Sequence, residues 1–391
     1  MSQANVFEQV IKHISRKKFE ESAAKHRGDF KVTQLDSWTW FGALLFGQLT
    51  GHDSIRAIER VFCQGNRRMQ RLGFSTVCRS TLSDANQKRP LEILEDTLQA
   101  TLQRAKLASP HSHGFSFRGH VLALDSTIIA LCLSLSPWAN FRKGTAAVKL
   151  HTAIDIAGDL PEVSVITPAI CHDLPVAREQ FRFRKGSTVI FDRAYWGGEW
   201  FNHLDDMEVF FVTRIRRNKS WKVLECRPTD RTRGFLCDQT VYQKKGKSRS
   251  LSRKNKRYRG RLRRISYRDP DTKKKLIFLT NRFDLTVETV AALYKARWKV
   301  ELFFKTLKQN LRIKKFLGTS FHAVKAQIYI ALIAYLLVQL IRWLTKSSIS
   351  MPDAMAAIGT LLLLREPLER LLGDLPRVTR HPPDSQLCLP I

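Results

Sequence analysis

A chain of 391 residues with 66 Lys and Arg against 35 Asp and Glu carries a formal charge of +31 at pH 7. No soluble metabolic enzyme needs that excess; it points to a polyanionic partner, nucleic acid first and an anionic membrane surface second. Seven scattered cysteines without CxxC spacing, and eleven histidines without a HExxH cluster, argue against a disulfide frame, a zinc site or a histidine-built metal centre. A hydrophobic content of 43% supports a sizeable core, and the length suggests two or three domains.

Residues 1–117 read as an all-helical domain. Residues 5–15 form one amphipathic candidate. Ser37 is expected to cap an aromatic-rich run over 38–49, Ser54 to cap 55–62, and Ser80 to cap 81–88. Pro90 suits the first turn of a longer helix that runs to Lys106. Basic residues gather between the helices at Arg16, Lys17, Lys18, Arg67, Arg68, Arg71 and Arg79. Basic junctions of this kind can hold phosphates while a helix lies in a major groove, so the domain is expected to bind double-stranded DNA rather than stand as a plain bundle.

After the polar stretch 109–118 the pattern changes to strands. Residues 121–125 are an apolar run ending in an acid, and 148–156 and 163–169 are strand-like around a turn at 158–161. A helix over 176–181 precedes a second apolar run ending in an acid, 188–192, and a further strand over 207–215. Three strands, a helix, then more strands suit a mixed sheet covered by helices. Residues 216–275 read as a basic, β-prone insertion, densest in Lys and Arg over 244–264, before strand character resumes at 276–280. The catalytic domain thus spans 118–345, interrupted by 216–275. Residues 346–391 form a C-terminal helical segment and tail that frays from Pro367. Residues 328–341 are the most membrane-like stretch, but fourteen residues fall short of the roughly 20 that span a bilayer, so they predict a buried core helix and no membrane. The N-terminus lacks a signal-peptide layout, which with the reduced cysteines suggests a cytoplasmic protein.

The segment 294–308, YKARWKVELFFKTLK, sits in a helix that Thr286 can cap and that no Gly or Pro interrupts before Gly318. At about 100° per residue, Tyr294, Arg297, Glu301 and Lys308 fall within roughly 60° of one another. Leu293, Val300, Phe304, Leu307 and Leu311 form the apolar stripe beside them. Taken alone, this edge fits equally well a solvated face with Arg297 and Glu301 as an i,i+4 pair.

Asp125 and Asp192 each close an apolar strand, where a carboxylate needs a use or a partner. If Glu301 projects from a helix on the same sheet, three carboxylates meet. Such a set repels itself without cations; two Mg2+ ions about 4 Å apart, with Mn2+ able to substitute, turn it into a clamp for displacement at phosphorus. Asp155 precedes a turn and Asp173 sits in a polar loop, so neither competes for the second acid. His151 reads as a structural histidine beside Lys149. Trp298 and Trp221 read as core aromatics before they read as base-stacking shelves.

These residues carry a resemblance. Asp125, Asp192 and Glu301 resemble the DDE triad of bacterial insertion-sequence transposases. The spacing Tyr294-x2-Arg297-x3-Glu301-x6-Lys308 is similar to the Tyr-Arg-Glu-Lys motif of the insertion-sequence-four family. LDSTII around Asp125, VKLHTAID at 148–155, DRAY at 192–195 and STLSDANQKRP at 80–90 resemble further blocks of that family. Ala194 stands where the family commonly has Gly; a positive φ there would strain it. The resemblance implies a ribonuclease-H-like fold and cut-and-paste transposition. The steps are nicking, hairpin formation, hairpin resolution and strand transfer at terminal inverted repeats. It also implies phosphate contacts from Tyr294, Arg297 and Lys308, a β insertion that touches the transposon end, and a homodimer on DNA associated with the nucleoid. The rival readings are a nuclease of the same fold without strand transfer, and a DNA-binding repressor that has lost catalysis.

Overall fold

The computed structural model describes residues 4–64, 66–110, 119–132, 136–142, 145–215, 221–243, 257–270, 272–309 and 316–373. The first part of the chain is helical, as expected, with differences in where helices begin. Asn5 opens α1 (Val6–Ile11) through a reciprocal capping box with Glu8. That helix stops after six residues, and Ser15 caps a separate α2 (Arg16–Lys25), so residues 5–15 are not one helix. Asp36 rather than Ser37 caps α3 (Ser37–Thr50), its carboxylate accepting the Thr39 N–H at 2.6 Å. Gly51, at φ 70°, ends α3 in the left-handed conformation that a Cβ would strain.

Ser54 accepts the Ala57 N–H at the start of α4 (Ile55–Gln64), and α5 (Asn66–Arg71) follows. In α6 (Arg79–Lys88) the cap position is Cys78, with no side-chain cap bond, and Ser80 lies inside the first turn. Pro90 precedes α7 (Glu92–Ala108). Of the expected basic junction residues, Arg16, Lys17, Lys18, Arg71 and Arg79 are exposed, while the side chains of Arg67 and Arg68 lie outside the described residues.

The sheet follows. Its strands are β1 (Val121–Leu131), β2 (Asn140–Arg142), β3 (Thr145–Asp155), β4 (Leu160–Pro168), β5 (Thr188–Phe191), β6 (Phe210–Arg214), β7 (Trp221–Arg227), β8 (Phe235–Gln243), β9 (Leu262–Arg268) and β10 (Lys275–Thr280). They run in the order β2-β3-β1-β5-β6-β10-β9-β8-β7, with β4 also on β3. β1, β3 and β4 are antiparallel neighbours; β1, β5 and β6 are parallel. Helices α8 (Asp173–Gln180) and α9 (Gly198–Asp206) link the parallel strands. This is the mixed sheet with flanking helices expected for a ribonuclease-H-like fold. Strands β7, β8 and β9, drawn from the basic insertion, extend the sheet itself through β10. Of the densest basic run, 244–264, residues 244–256 lie outside the described residues, and the rest leads into β9.

After the sheet come α10 (Val287–Ala296), α11 (Trp298–Gln309), α12 (Phe321–Leu344), α13 (Met351–Thr360) and α14 (Leu368–Gly373). The anticipated core segment is longer than fourteen residues. α12 is a 24-residue helix, apolar and long enough to cross a membrane by composition, with 94% of its most apolar window buried inside the protein. It packs against α3, α6, α7 and α13, so the N-terminal helices and the C-terminal helices share one core. A Cβ on Gly359 of α13 would lie 2.4 Å from the Leu49 carbonyl, which is why that helix can sit so close to the end of α3. Leu368, Leu371 and Leu372 of α14 are buried, so order continues past Pro367, and residues 374–391 lie outside the described residues.

Candidate active site

Asp125 does not close its strand. β1 runs on through Ser126, Thr127, Ile128 and Ile129 to Leu131, since β-branched side chains after the acid favour continued pairing with β3. Asp192 does sit one residue beyond β5, and its carboxylate accepts the Ala194 N–H at 2.7 Å to open a short 3-10 turn over Arg193–Tyr195. Ala194 is not among the residues with positive φ, so Ala in place of Gly carries no backbone strain. Leu124 pairs with Phe191 across the parallel β1–β5 ladder, which puts Asp125 and Asp192 at the next level on neighbouring strands about 4.8 Å apart.

Side-chain alternation places both acids on the same face. Ala123 and Ile190 join the core under α10 to α12, whereas Leu122, Leu124, Val189 and Phe191 join the second core under α8 and α9. Two residues on from Ala123 and Ile190, the two aspartates therefore share the face that α11 covers.

α10 and α11 form the helical stretch capped by Thr286, but not as one uninterrupted helix. At Arg297 the backbone tightens: its N–H donates to the Tyr294 carbonyl at 3.2 Å, and its carbonyl accepts from Val300 at 3.1 Å. Leu293, Val300, Phe304 and Leu307 are buried as the apolar stripe requires, and Leu311 lies outside the described residues. The stripe seats α11 on β1 and β3. Glu301 then faces the sheet through Arg297: one guanidinium nitrogen donates to Asp125 Oδ2 at 3.2 Å, the other to Glu301 Oε1 at 2.5 Å. The i,i+4 pair is thus present, but half-buried and tied to a strand acid.

Burial, reinforced by Asp192 and Glu301 and offset by the Ser126 N–H and Arg297, pushes the Asp125 carboxyl up to about 6. Both other acids thus act on Asp125. Tyr294 sets its ring at a 41° tilt to Phe278, centroids 5.2 Å apart, and burial raises its hydroxyl pKa, so it stays a proton donor beside Arg297, Arg214 and Asp192. Lys308 lies on the same helix about two turns beyond Glu301. The donor set, three carboxylates and no thiolate or imidazole, has the chemistry that hard divalent cations need. Among the described residues, however, no three Asp, Glu, His or Cys side chains stand arranged around one metal position.

Trp298 is 57% exposed, against the expectation of a core residue, because it points away from the apolar stripe. Trp221 is half-buried, edge-on to Trp196 at 6.2 Å.

On the opposite face of β1 is a cluster that spacing did not reveal. Ser126 Oγ donates to Asp173 Oδ1 at 2.7 Å, and Lys149 Nζ lies 3.2 Å from the same oxygen. His151, beside it, bonds Thr167 at 3.0 Å; it is structural, as expected, and Asp173 is the first residue of α8 rather than a loop residue. The partners lie up to 47 positions apart: β1–β3 pairing sets Ser126 opposite His151, and α8 brings Asp173 to them.

Burial pushes His151 well below its ordinary pKa, with Asp173 opposing and Lys149 adding, and pushes His13 down to about 4, with Arg104 and Lys12 adding. Both stay neutral in the folded chain while the unfolded chain gains protons below pH 6.5. Their stabilisation is full above that pH and is lost as pH falls, for His13 by up to about 1.4 kcal/mol per pH unit. Asp125, with its carboxyl raised to about 6, gains stability over the same range and offsets part of this loss, so the readout is a difference: His13→Gln is expected to lose less of its urea midpoint than wild type between pH 7 and 5, and an equal loss would assign the effect elsewhere.

Comparison with known proteins shows the family. The family model described as Transposase DDE domain matches residues 116–337, and a model described as a domain of unknown function matches residues 2–75. A Sinorhizobium fredii protein named as transposase y4zB is 32% identical over 311 residues, covering 77% of this chain and 80% of that protein. A Geobacillus stearothermophilus protein, named as the transposase for insertion sequence element IS5377, is 29% identical over 271 residues, covering 68% and 67%. Among solved structures, the piggyBac transposase synaptic complex with hairpin DNA aligns over 96% of this chain and 81% of that one, at 12% identity and a TM-score of 0.43. The chain belongs to the transposase DDE domain family, the metal-dependent DNA-cleaving transposases of insertion sequences.

Proposed function

We propose that Asp125, Asp192 and Glu301 are the catalytic carboxylates of a cut-and-paste transposase and would together hold two Mg2+ ions, with Mn2+ able to substitute. The observation that supports this best is the Arg297 bridge, which ties helix-borne Glu301 to strand-borne Asp125 at the level of Asp192. When bound, the metal pair would activate a water or a 3′-hydroxyl and stabilise the leaving oxygen. The chain's own groups do the rest. The three carboxylates would hold that metal pair between β1 and α11. Tyr294 donates a hydroxyl, and Arg297 and Lys308 supply positive charge to the flanking phosphates of the cleaved end.

We assign residues 1–117 to DNA binding, 118–345 to catalysis with 216–275 as a basic insertion that meets the transposon end, and 346–391 to a supporting segment. The substrate is double-stranded DNA ending in terminal inverted repeats, held as a synaptic pair by a homodimer at the nucleoid. Of the readings weighed from the sequence, a nuclease without strand transfer is separated by one reaction. A pre-cut end bearing a free 3′-OH, offered with a target plasmid, is expected to be joined. Cleavage without joining would leave the nuclease reading in place.

A further inference from the structure

Arg297 holds a place that a phosphate-gripping residue does not need. Its side chain is 16% exposed, and its two terminal nitrogens are spent on carboxylates 172 and 4 positions away in the chain. The fork is not bidentate on either acid; it is stretched between them, and its Nε is buried without a hydrogen-bond partner among the described residues. A purely structural arginine would complete its bonds, because an unmet buried donor is costly. The neighbouring cation cannot replace it, since Lys299 Nζ is held by the Ile156 carbonyl at 2.7 Å and by Asp159 at 3.0 Å. The carboxylates around Arg297 are the ones a divalent pair would use, yet no three acidic, histidine or cysteine groups among the described residues close on one position.

We propose that Arg297 guards the triad. Without DNA its guanidinium takes the cation position between Asp125 and Glu301, keeping the acids paired and divalent ions out. When a DNA end arrives, a backbone phosphate draws the fork away, and both carboxylates are released for metal. Metal loading is thereby made conditional on DNA. The inference rests on the triad reading above and adds an order of events to it. Two features fit a residue that must swing. Arg297 lies at the tightened turn between α10 and α11, and the Tyr294 ring, 5.9 Å from its guanidinium carbon, offers a second resting surface. A guanidinium and a small cation cannot share the site, because carboxylate oxygens bind Mg2+ at about 2.0–2.1 Å.

The test is Mn2+ binding to the full chain without DNA, followed by electron paramagnetic resonance. R297Q is expected to bind Mn2+ at least about tenfold more tightly than wild type, since a charge-assisted pair on each acid no longer competes. Added pre-cut end DNA is expected to bring wild type up to the affinity of R297Q. R297K, whose single nitrogen cannot span both acids, is expected to fall between the two and covers the case of an unfolded R297Q. Equal or weaker DNA-free binding by both variants would overturn the guard. The double variant R297Q/E301Q separates the two claims: if it binds as tightly as R297Q, the triad reading fails instead.

Discussion

Asp192→Asn is expected to lower end cleavage by about a thousandfold or more while leaving end binding and its salt dependence in place. The expected loss is large because the substitution removes one of the oxygen anions proposed to hold metal. The expected side effects are small. Asp192 Oδ1 accepts the Ala194 N–H at 2.7 Å, and the Asn carbonyl oxygen can accept the same bond, so the turn after β5 survives. Phosphate contacts elsewhere on a chain of charge +31 keep the linear fall of log affinity with log salt. Cleavage assays and salt-titrated binding on the same preparation check both halves. If wild type and Asp192→Asn cut equally, the triad assignment fails; if neither cuts and both bind, the repressor reading gains.

The largest effect on stability is expected at Asp238. Its carboxylate meets Arg263 at 2.9 and 2.7 Å, with the two side chains 4% and 6% exposed, and Arg227 at 3.4 Å. Asp238→Ala leaves the Arg263 guanidinium buried without its partner, at an expected cost of about 3–5 kcal/mol in urea unfolding. The site should feel it too. Arg263 pairs with Thr280 of β10 and donates to the Leu285 carbonyl, one residue before the Thr286 cap of α10. Cleavage should therefore fall in step with the folded fraction. Replacing Asp238 and Arg263 together by apolar residues of similar volume is expected to recover most of the loss; failure to recover would mean that the pair does more than neutralise itself.

Much of the site was legible because the chemistry is local. Tyr294, Arg297, Glu301 and Lys308 follow the helical repeat, with Lys308 two turns beyond Glu301, and Asp192 follows a short run, Thr188–Phe191, that is buried throughout. What failed depended on tertiary context. An apolar run before Asp125 suggested a strand end, but the strand goes on because β3 pairs with it from Leu122 to Leu131. The break at Arg297 has no Gly or Pro to announce it. Trp298 reads as core by composition, and only its angle from the stripe shows that it faces out. The helix start at Asp36 was missed because Asp36 and Ser37 are both good caps and the choice falls to geometry. The cluster of Ser126, Lys149, His151 and Asp173 needs both the β1–β3 register and the placing of α8 beside it, which no spacing rule supplies.

Everything functional here depends on three acids from β1, the end of β5 and α11 meeting at one place. Crystals of the chain bound to a pre-cut end and soaked in Mn2+ test this directly through anomalous scattering. Peaks bounded by Asp125, Asp192 and Glu301 are expected, with the Arg297 guanidinium displaced onto a phosphate. Peaks that leave Glu301 uncoordinated, or that lie across β1 beside Asp173, would contradict it.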